Sequence, residues 1–239
     1  MLYIRKSKPS REVAGDISRV RREQKSLIDR GTPEAAREAF DCLDKSLLRK
    51  SLIAEQHGLC AYCMRRIRDN SGMTIEHWRP IDCNSEGAMD YENMLGVCDG
   101  GRKAGRPKSE GSRRVLCCDA SKGNREITIS PCNPEHMQKI RYGEDGRIYT
   151  HPKDEVLEMD INEVLRLNGD DGIDTQTRIV KGRREAYKSY ARYIRKLIQE
   201  KRLSRSVLEK RIRHIESQEI YDEFCGVTLY FLKKKLRQL

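Results

Sequence analysis

Within residues 59–123, four segments follow one another: Cys60-Ala61-Tyr62-Cys63, Ile75-Glu76-His77-Trp78-Arg79-Pro80, Tyr91-Glu92-Asn93-Met94-Leu95-Gly96-Val97-Cys98 and Cys117-Cys118-Asp119-Ala120-Ser121-Lys122-Gly123. Two cysteine half-sites bracket an acid–histidine pair and an asparagine. Cys60 and Cys63 are spaced to place both thiolates on one Zn²⁺ through a tight knuckle turn. The second half comes from Cys98 together with Cys117 or Cys118. Four thiolates in tetrahedral geometry form a closed, structural site with no position left for water. A lone CxxC is weak evidence, whereas two half-sites around a compact, Gly- and Asp-rich stretch are much stronger. Met73-Thr74-Ile75 is a short strand candidate leading directly into Glu76-His77.

The residues between the cysteines suit a second kind of chemistry. Cleavage of a phosphodiester with one hard cation needs a base to activate water, oxygen ligands for the metal and a cation near the leaving oxygen. His77 supplies a base at neutral pH. Glu76 and Asp119 supply oxygens suited to Mg²⁺. Asn93 is placed to hydrogen-bond loop backbone and so orient His77, and Lys122 to contact the scissile phosphate. Each of these residues alone has a purely structural reading; their joint order inside a zinc frame favours the chemical one.

Composition bounds the rest. Among 239 residues, 48 Lys+Arg stand against 37 Asp+Glu, a balance of +11 that favours a polyanionic partner. Nucleic acid fits better than membrane, because no apolar run approaches the ~20 residues of a spanning helix. No secretory signal is visible, so the nine cysteines read as thiols and metal ligands in a reducing cytoplasm. Three Phe and one Trp make a thin aromatic core that suits small modules.

Three regions emerge along the chain. Residues 1–58 read as helical after a basic arm over 1–15. Ile17, Val20, Gln24 and Leu27-Ile28 keep near-helical spacing up to Gly31. Thr32-Pro33-Glu34 starts a second helix, carrying Ala36, Phe40, Leu43, Leu47 and Ile53 on one face to about His57-Gly58, with Cys42 as a small buried residue beside that face. Residues 59–150 are loop-rich, with Ile127-Thr128-Ile129 a possible strand and Ile140–Tyr142 pairing with Arg147–Tyr149 as a hairpin. Cys83 and Cys132 read as bystanders. Residues 151–239 return to helix: a short one through Ile161 to Leu167, a long one from Thr175 to Gln199, another opened by Ser206 with Glu209, and a last one within Ile220 to Leu239. Between Lys181 and Arg213, 13 Lys/Arg face three Glu. The helix around Arg183, Arg184, Lys188, Arg192 and Arg195 therefore suits a phosphate backbone or an acidic partner.

CxxC, Glu-His-x-x-Pro, Asn93-Met94-Leu95 and Cys-Asp-x-x-Lys-Gly together resemble the HNH endonucleases. That resemblance implies an α+β fold: a small zinc-stapled ββα-metal (HNH) centre flanked by N- and C-terminal α-helical regions. Glu76-His77-Trp78-x-Pro80, the Ile140-x-Tyr142 hairpin with Asp145-Gly146-x-Ile148, and Leu165-Arg166-Leu167-Asn168 are similar to one branch, the nuclease subunits (PtuB) of Septu-type and retron-associated anti-phage systems. The similarity covers roughly residues 40 to 239 and is of low specificity outside the central motifs. It implies His77 as general base, Glu76 as its acidic neighbour, Asn93 as the middle asparagine and Asp119 as the last metal ligand. It also implies Mg²⁺ or Mn²⁺ as catalytic ion, and Cys60, Cys63, Cys98 and Cys118 as the zinc set. An ABC/SMC-like ATPase subunit (PtuA-like) is the implied partner. No phosphate-binding Gly-Lys-Ser/Thr loop occurs here.

One departure stands out. The second zinc half-site is split by 19 residues, Asp99 to Cys117. This insert carries Arg102, Lys103, Arg106, Lys108, Arg113 and Arg114, and is expected to loop out as a basic finger that touches nucleic acid. It leaves Asp99 as a rival to Asp119, decided for Asp119 by Lys122-Gly123, and Cys117 as a rival to Cys118. The alternative to a nuclease is a non-catalytic zinc-bound adaptor that binds nucleic acid or a partner through its basic helices.

Overall fold

The computed structural model describes residues 1–69, 72–104 and 113–239. It is a mixed structure of helices and two small sheets. The first ten residues pack against the protein as an extended arm, and helix begins within the stretch expected to be arm. Met1 and Ile4 are buried, the Ile4 amide donates to the Pro131 carbonyl at 2.9 Å, and Lys6 pairs with Glu55 at 2.6 Å. Helix α1 spans Arg11–Glu23, with Val13, Ile17 and Val20 inward, and a single-turn α2 follows at Lys25–Ile28. Thr32 caps α3, Pro33–Asp41, through a bond from the Ala35 amide.

The helix expected to run on to His57 breaks after Asp41. Asp44 begins a new one, α4, Lys45–Glu55, because its carboxylate accepts from the Ser46 and Leu47 amides at 2.9 and 3.0 Å. An aspartate stabilises a helix start more than a helix interior. Its own amide is held in turn by Asp16 at 2.7 Å, tying α4 to α1. The break turns Cys42 outward, so it is exposed and not part of the buried face.

Strands β1, Met73–His77, and β2, Met94–Cys98, pair antiparallel, with His77 opposite Met94 and Met73 opposite Cys98. α4 packs on them, and Gln56 completes the contact from a buried position. Its amide nitrogen donates to the Leu59 and Gly96 carbonyls at 2.8 and 2.7 Å, and its oxygen accepts from the Gly96 amide at 2.7 Å. A short helix α5, Asp119–Lys122, comes next, then α6, Pro134–Lys139. The expected hairpin is present as β3, Ile140–Tyr142, and β4, Ile148–Thr150. Ile127–Ile129 form no strand: the amides of Thr128 and Ile129 are both claimed by the Asp160 carboxylate, at 2.7 and 2.8 Å.

The C-terminal third begins with α7, Glu155–Met159, which continues as a π-turn over Asp160–Val164. Three helices close the fold: α8, Ile179–Gln199, α9, Arg205–Glu216, and α10, Cys225–Leu236. The cap of α9 is Ser204, not Ser206. Arg183, expected on a phosphate-facing surface, is instead 1 % exposed. Its guanidinium donates to the carbonyls of Gly146 at 2.6 Å and Leu167 at 2.5 Å. Gly146 sits at φ +88°, where an added Cβ would lie 2.3 Å from the Val180 carbonyl, so α8 and the hairpin turn meet only because that residue has no side chain. One apolar cluster runs from Met1 through Leu52, Tyr62, Leu95, Ile148 and Leu167 to Leu232. The three sequence regions therefore share a core.

Gln56→Leu preserves bulk but strips the Gly96 amide of its acceptor. A buried donor left unmade costs ~1–3 kcal/mol. Urea denaturation of the metal-loaded variant should show a lower midpoint at unchanged slope; an unchanged midpoint would mean that this clamp contributes nothing.

Candidate functional site

The knuckle is built from backbone bonds. The Cys60 amide donates to the Arg65 carbonyl at 2.7 Å, the Met64 amide returns to the Cys60 carbonyl at 3.0 Å, and Met64 takes a positive φ of 66° to close the turn. Cys98 ends β2. Gly100, at φ +59°, then lets the returning chain pass: a Cβ there would fall 2.1 Å from the Cys117 carbonyl oxygen. Cys118, also at positive φ, is held by its amide on the Leu165 carbonyl at 3.0 Å.

These turns bring Cys60, Cys63, Cys98 and Cys118 together, all buried, with every Sγ within 4.8 Å of the others. Individual separations are 3.6 Å for Cys63–Cys98, 3.8 Å for Cys98–Cys118 and 3.9 Å for Cys60–Cys118. Sulfurs 2.3 Å from one tetrahedral zinc lie about 3.8 Å apart, whereas a disulfide requires about 2.0 Å. The cluster therefore fits a metal such as zinc. Cys117, the alternative ligand, stays at the edge of the cluster, its sulfur 3.7 Å from that of Cys118, but it falls outside the mutually close set of four and meets the Thr177 hydroxyl at 3.2 Å.

Beside this cluster lies a buried group of charges. Glu76 on β1 receives the Tyr62 hydroxyl at 3.2 Å and the Lys122 ammonium at 2.7 Å, and it hydrogen-bonds Asp119. Burial first, and the charge of Asp119 second, push the Glu76 carboxyl up to about 8 against the pull of Lys122. Glu76 thus sits where burial and a neighbouring acid favour its protonated form, while the Lys122 ammonium draws it toward the carboxylate. Asp99, the rival acid, is occupied elsewhere, accepting from the Gly101 and Lys103 amides at 3.2 Å each.

Lys122 is not where a phosphate would meet it. Only 1 % exposed, it spends its ammonium on Glu76 and on the His77 carbonyl at 3.2 Å. Its placement on the inner side of a one-turn helix makes it a brace between α5 and β1. Asn93 does fasten loop backbone: its oxygen accepts from the Arg79 amide at 2.8 Å and its nitrogen donates to the Arg79 carbonyl at 3.0 Å. The turn after His77 is thereby clamped on both sides.

Adjacent strand residues point to opposite faces, and Glu76 and His77 do so here. The His77 ring leaves the carboxylates and packs edge-on against Phe40, with centroids 4.6 Å apart. Its Nε2 lies 2.9 Å from the Ala88 carbonyl. A carbonyl only accepts, which assigns the proton to Nε2 and leaves Nδ1 as the basic nitrogen. Burial, opposed by that bond and helped by Lys45, Lys122 and Arg37, pushes the imidazole below its usual range and keeps it neutral.

The described ends of the insert fold back onto the protein. Arg102 donates to the Asp119 carboxylate at 2.6 Å, Arg113 pairs with Asp170, and Arg114 reaches the Ala104 carbonyl at 3.0 Å. Lys103 is also engaged. Arg106 and Lys108 lie outside the described residues. Two contributors went unread in the sequence: Tyr62, whose signal was an aromatic inside the CxxC knuckle, and Arg102 as a partner of Asp119, for which no local signal exists. The chain matches no protein-family model and no curated protein.

Metal content separates the two neighbouring cysteines. Cys118→Ser should lose the bound ion and the intense visible absorption that Co²⁺ gives in a tetrathiolate, while Cys117→Ser should keep both. The reverse pattern would move the fourth ligand to Cys117.

Proposed function

We propose that the chain is a metal-dependent HNH-type nuclease, with β1, β2 and α5 as its ββα unit and a zinc on the four cysteines as its staple. One observation carries this reading: Glu76 and Asp119, separate in sequence, meet in a single hydrogen-bonded site where β1 and α5 adjoin, directly beside the cysteine cluster. A pair of hard oxygen donors suits Mg²⁺ or Mn²⁺. Such a cation, when bound, polarises the phosphodiester and stabilises the charge that develops on it.

The chain's own residues do the rest. His77 is neutral, and its ring is fixed by Ala88 and Phe40 on the face of β1 away from the acidic pair; its role as base toward an attacking water rests on the resemblance to HNH enzymes and requires the ring to swing toward that pair. Asn93 locks the backbone that follows it. Lys122 holds the Glu76 carboxyl in place, and Arg102 has to release Asp119 for the acidic pair to receive a cation. The resemblance to PtuB subunits further suggests nucleic acid as substrate and an ABC/SMC-like ATPase as partner. A second reading, a non-catalytic adaptor, draws on the fact that Lys122 and Arg102 already occupy both acidic groups without a cation.

Asp119→Asn and His77→Ala decide between the two. With DNA and RNA substrates and Mg²⁺ or Mn²⁺, each should reduce cleavage ~10²–10⁴-fold while keeping the structural metal and a cooperative unfolding transition. Wild-type cleavage by both variants, or none by the parent protein in its native assembly, would favour the adaptor.

A further inference from the structure

Helix α8 is two-faced. Val180 aside, its apolar and aromatic residues turn inward or flank the core up to Leu197, with Tyr187 and Tyr190 on Phe231 at 4.7 and 5.4 Å. The opposite face carries Lys181, Arg184, Lys188, Arg192, Arg195 and Lys196, all exposed, against the single acid Glu185. Lys188 is paired with Glu185 at 2.9 Å and Lys196 approaches Glu200 at 3.8 Å. Among the described residues, Lys181, Arg184, Arg192 and Arg195 have no acidic partner within 4.0 Å; Arg192 bonds only the Ser189 hydroxyl.

We infer that these four cations form a track for a nucleic-acid backbone. At 1.5 Å per residue the track from Lys181 to Arg195 is about 21 Å long, and one strand carries a phosphate for every ~3.4 Å of rise. About six phosphates of one strand can therefore face it. A protein partner would want an aromatic or apolar anchor at the centre of its interface with charges at the rim, and α8 has spent its aromatics inward. The helix start plays no part, because Asp174 already accepts from the Val180 and Lys181 amides at 3.2 and 2.9 Å.

The track is also anchored at one end to the candidate site. The segment leading into α8 rests on residues 115–117, just ahead of Cys118 and Asp119: the Gln176 amide donates to the Val115 carbonyl at 3.0 Å, and Thr177 bonds Cys117. Lys181 stands one helical turn beyond Thr177. A strand on the track is thus directed toward Asp119. This directional part rests on the nuclease reading; the binding part does not.

The test replaces Lys181, Arg184, Arg192 and Arg195 together by Gln and measures fluorescence anisotropy of labelled DNA and RNA without added Mg²⁺. Four lost phosphate contacts should flatten the slope of log K against log[salt] by about three. A control variant with Arg205 and Arg213 replaced by Gln, both paired with Glu209 at 3.2 and 4.0 Å, should leave the slope within one unit of the parent. In cleavage assays the fourfold variant should raise KM with kcat little changed. An unchanged slope would overturn the track, as would poly-glutamate competing as well as nucleic acid, which would make the face an acidic-protein dock. Salt-dependent binding through the track by a chain that cuts nothing would support it while overturning the nuclease reading.

Discussion

Four thiols converge from three separate stretches of chain, and most of the central structure is arranged by that meeting. Cys60 and Cys63 come from one knuckle, Cys98 from the end of β2 and Cys118 from the start of α5. A two-stranded sheet is marginal by itself in water, and a one-turn helix cannot persist alone. Here both are held at their ends by the same cluster. Binding energy at such a centre is folding energy, so the short elements need little intrinsic stability. Gly100 and the left-handed Cys118 are the backbone conditions that let the last thiol arrive.

Next to the cluster, the polar core is a set of mutual obligations. Lys122 is buried and therefore needs Glu76; Glu76 is buried and therefore needs Tyr62, Lys122 or a proton. Asp119 is less enclosed and is met by Arg102 from the insert. Removing any one partner leaves the others unsatisfied in a low-dielectric setting.

The sequence disclosed what depends on local pattern. The cysteine spacing, the strand ahead of Glu76, the Thr32-Pro33 start and the hairpin around Asp145-Gly146 all act over a few residues, and all are present. It failed where a distant group decided the outcome. Ile127–Ile129 have strand-forming residues, yet their amides go to Asp160, 31 and 32 positions away. Arg183 sits in a basic run and looks like its neighbours, but two carbonyls from other elements draw it inside. Lys122 was read by charge as a phosphate contact and is placed by packing as a brace. The split of α3 from α4 was legible in Asp44, though a continuous apolar face hid it.

Arg183 also bears on the order of events in time. Its guanidinium finds its partners 37 and 16 residues upstream, at a hairpin turn and at Leu167 just beyond the π-turn. Those carbonyls are presented side by side only once the hairpin has closed and the π-turn has formed. Before then, burying the charge would be strongly unfavourable, so α8 has no stable seat on the core. The seating of α8 is therefore completed only when both turns are in place, which couples this helix to the hairpin and the π-turn through one guanidinium.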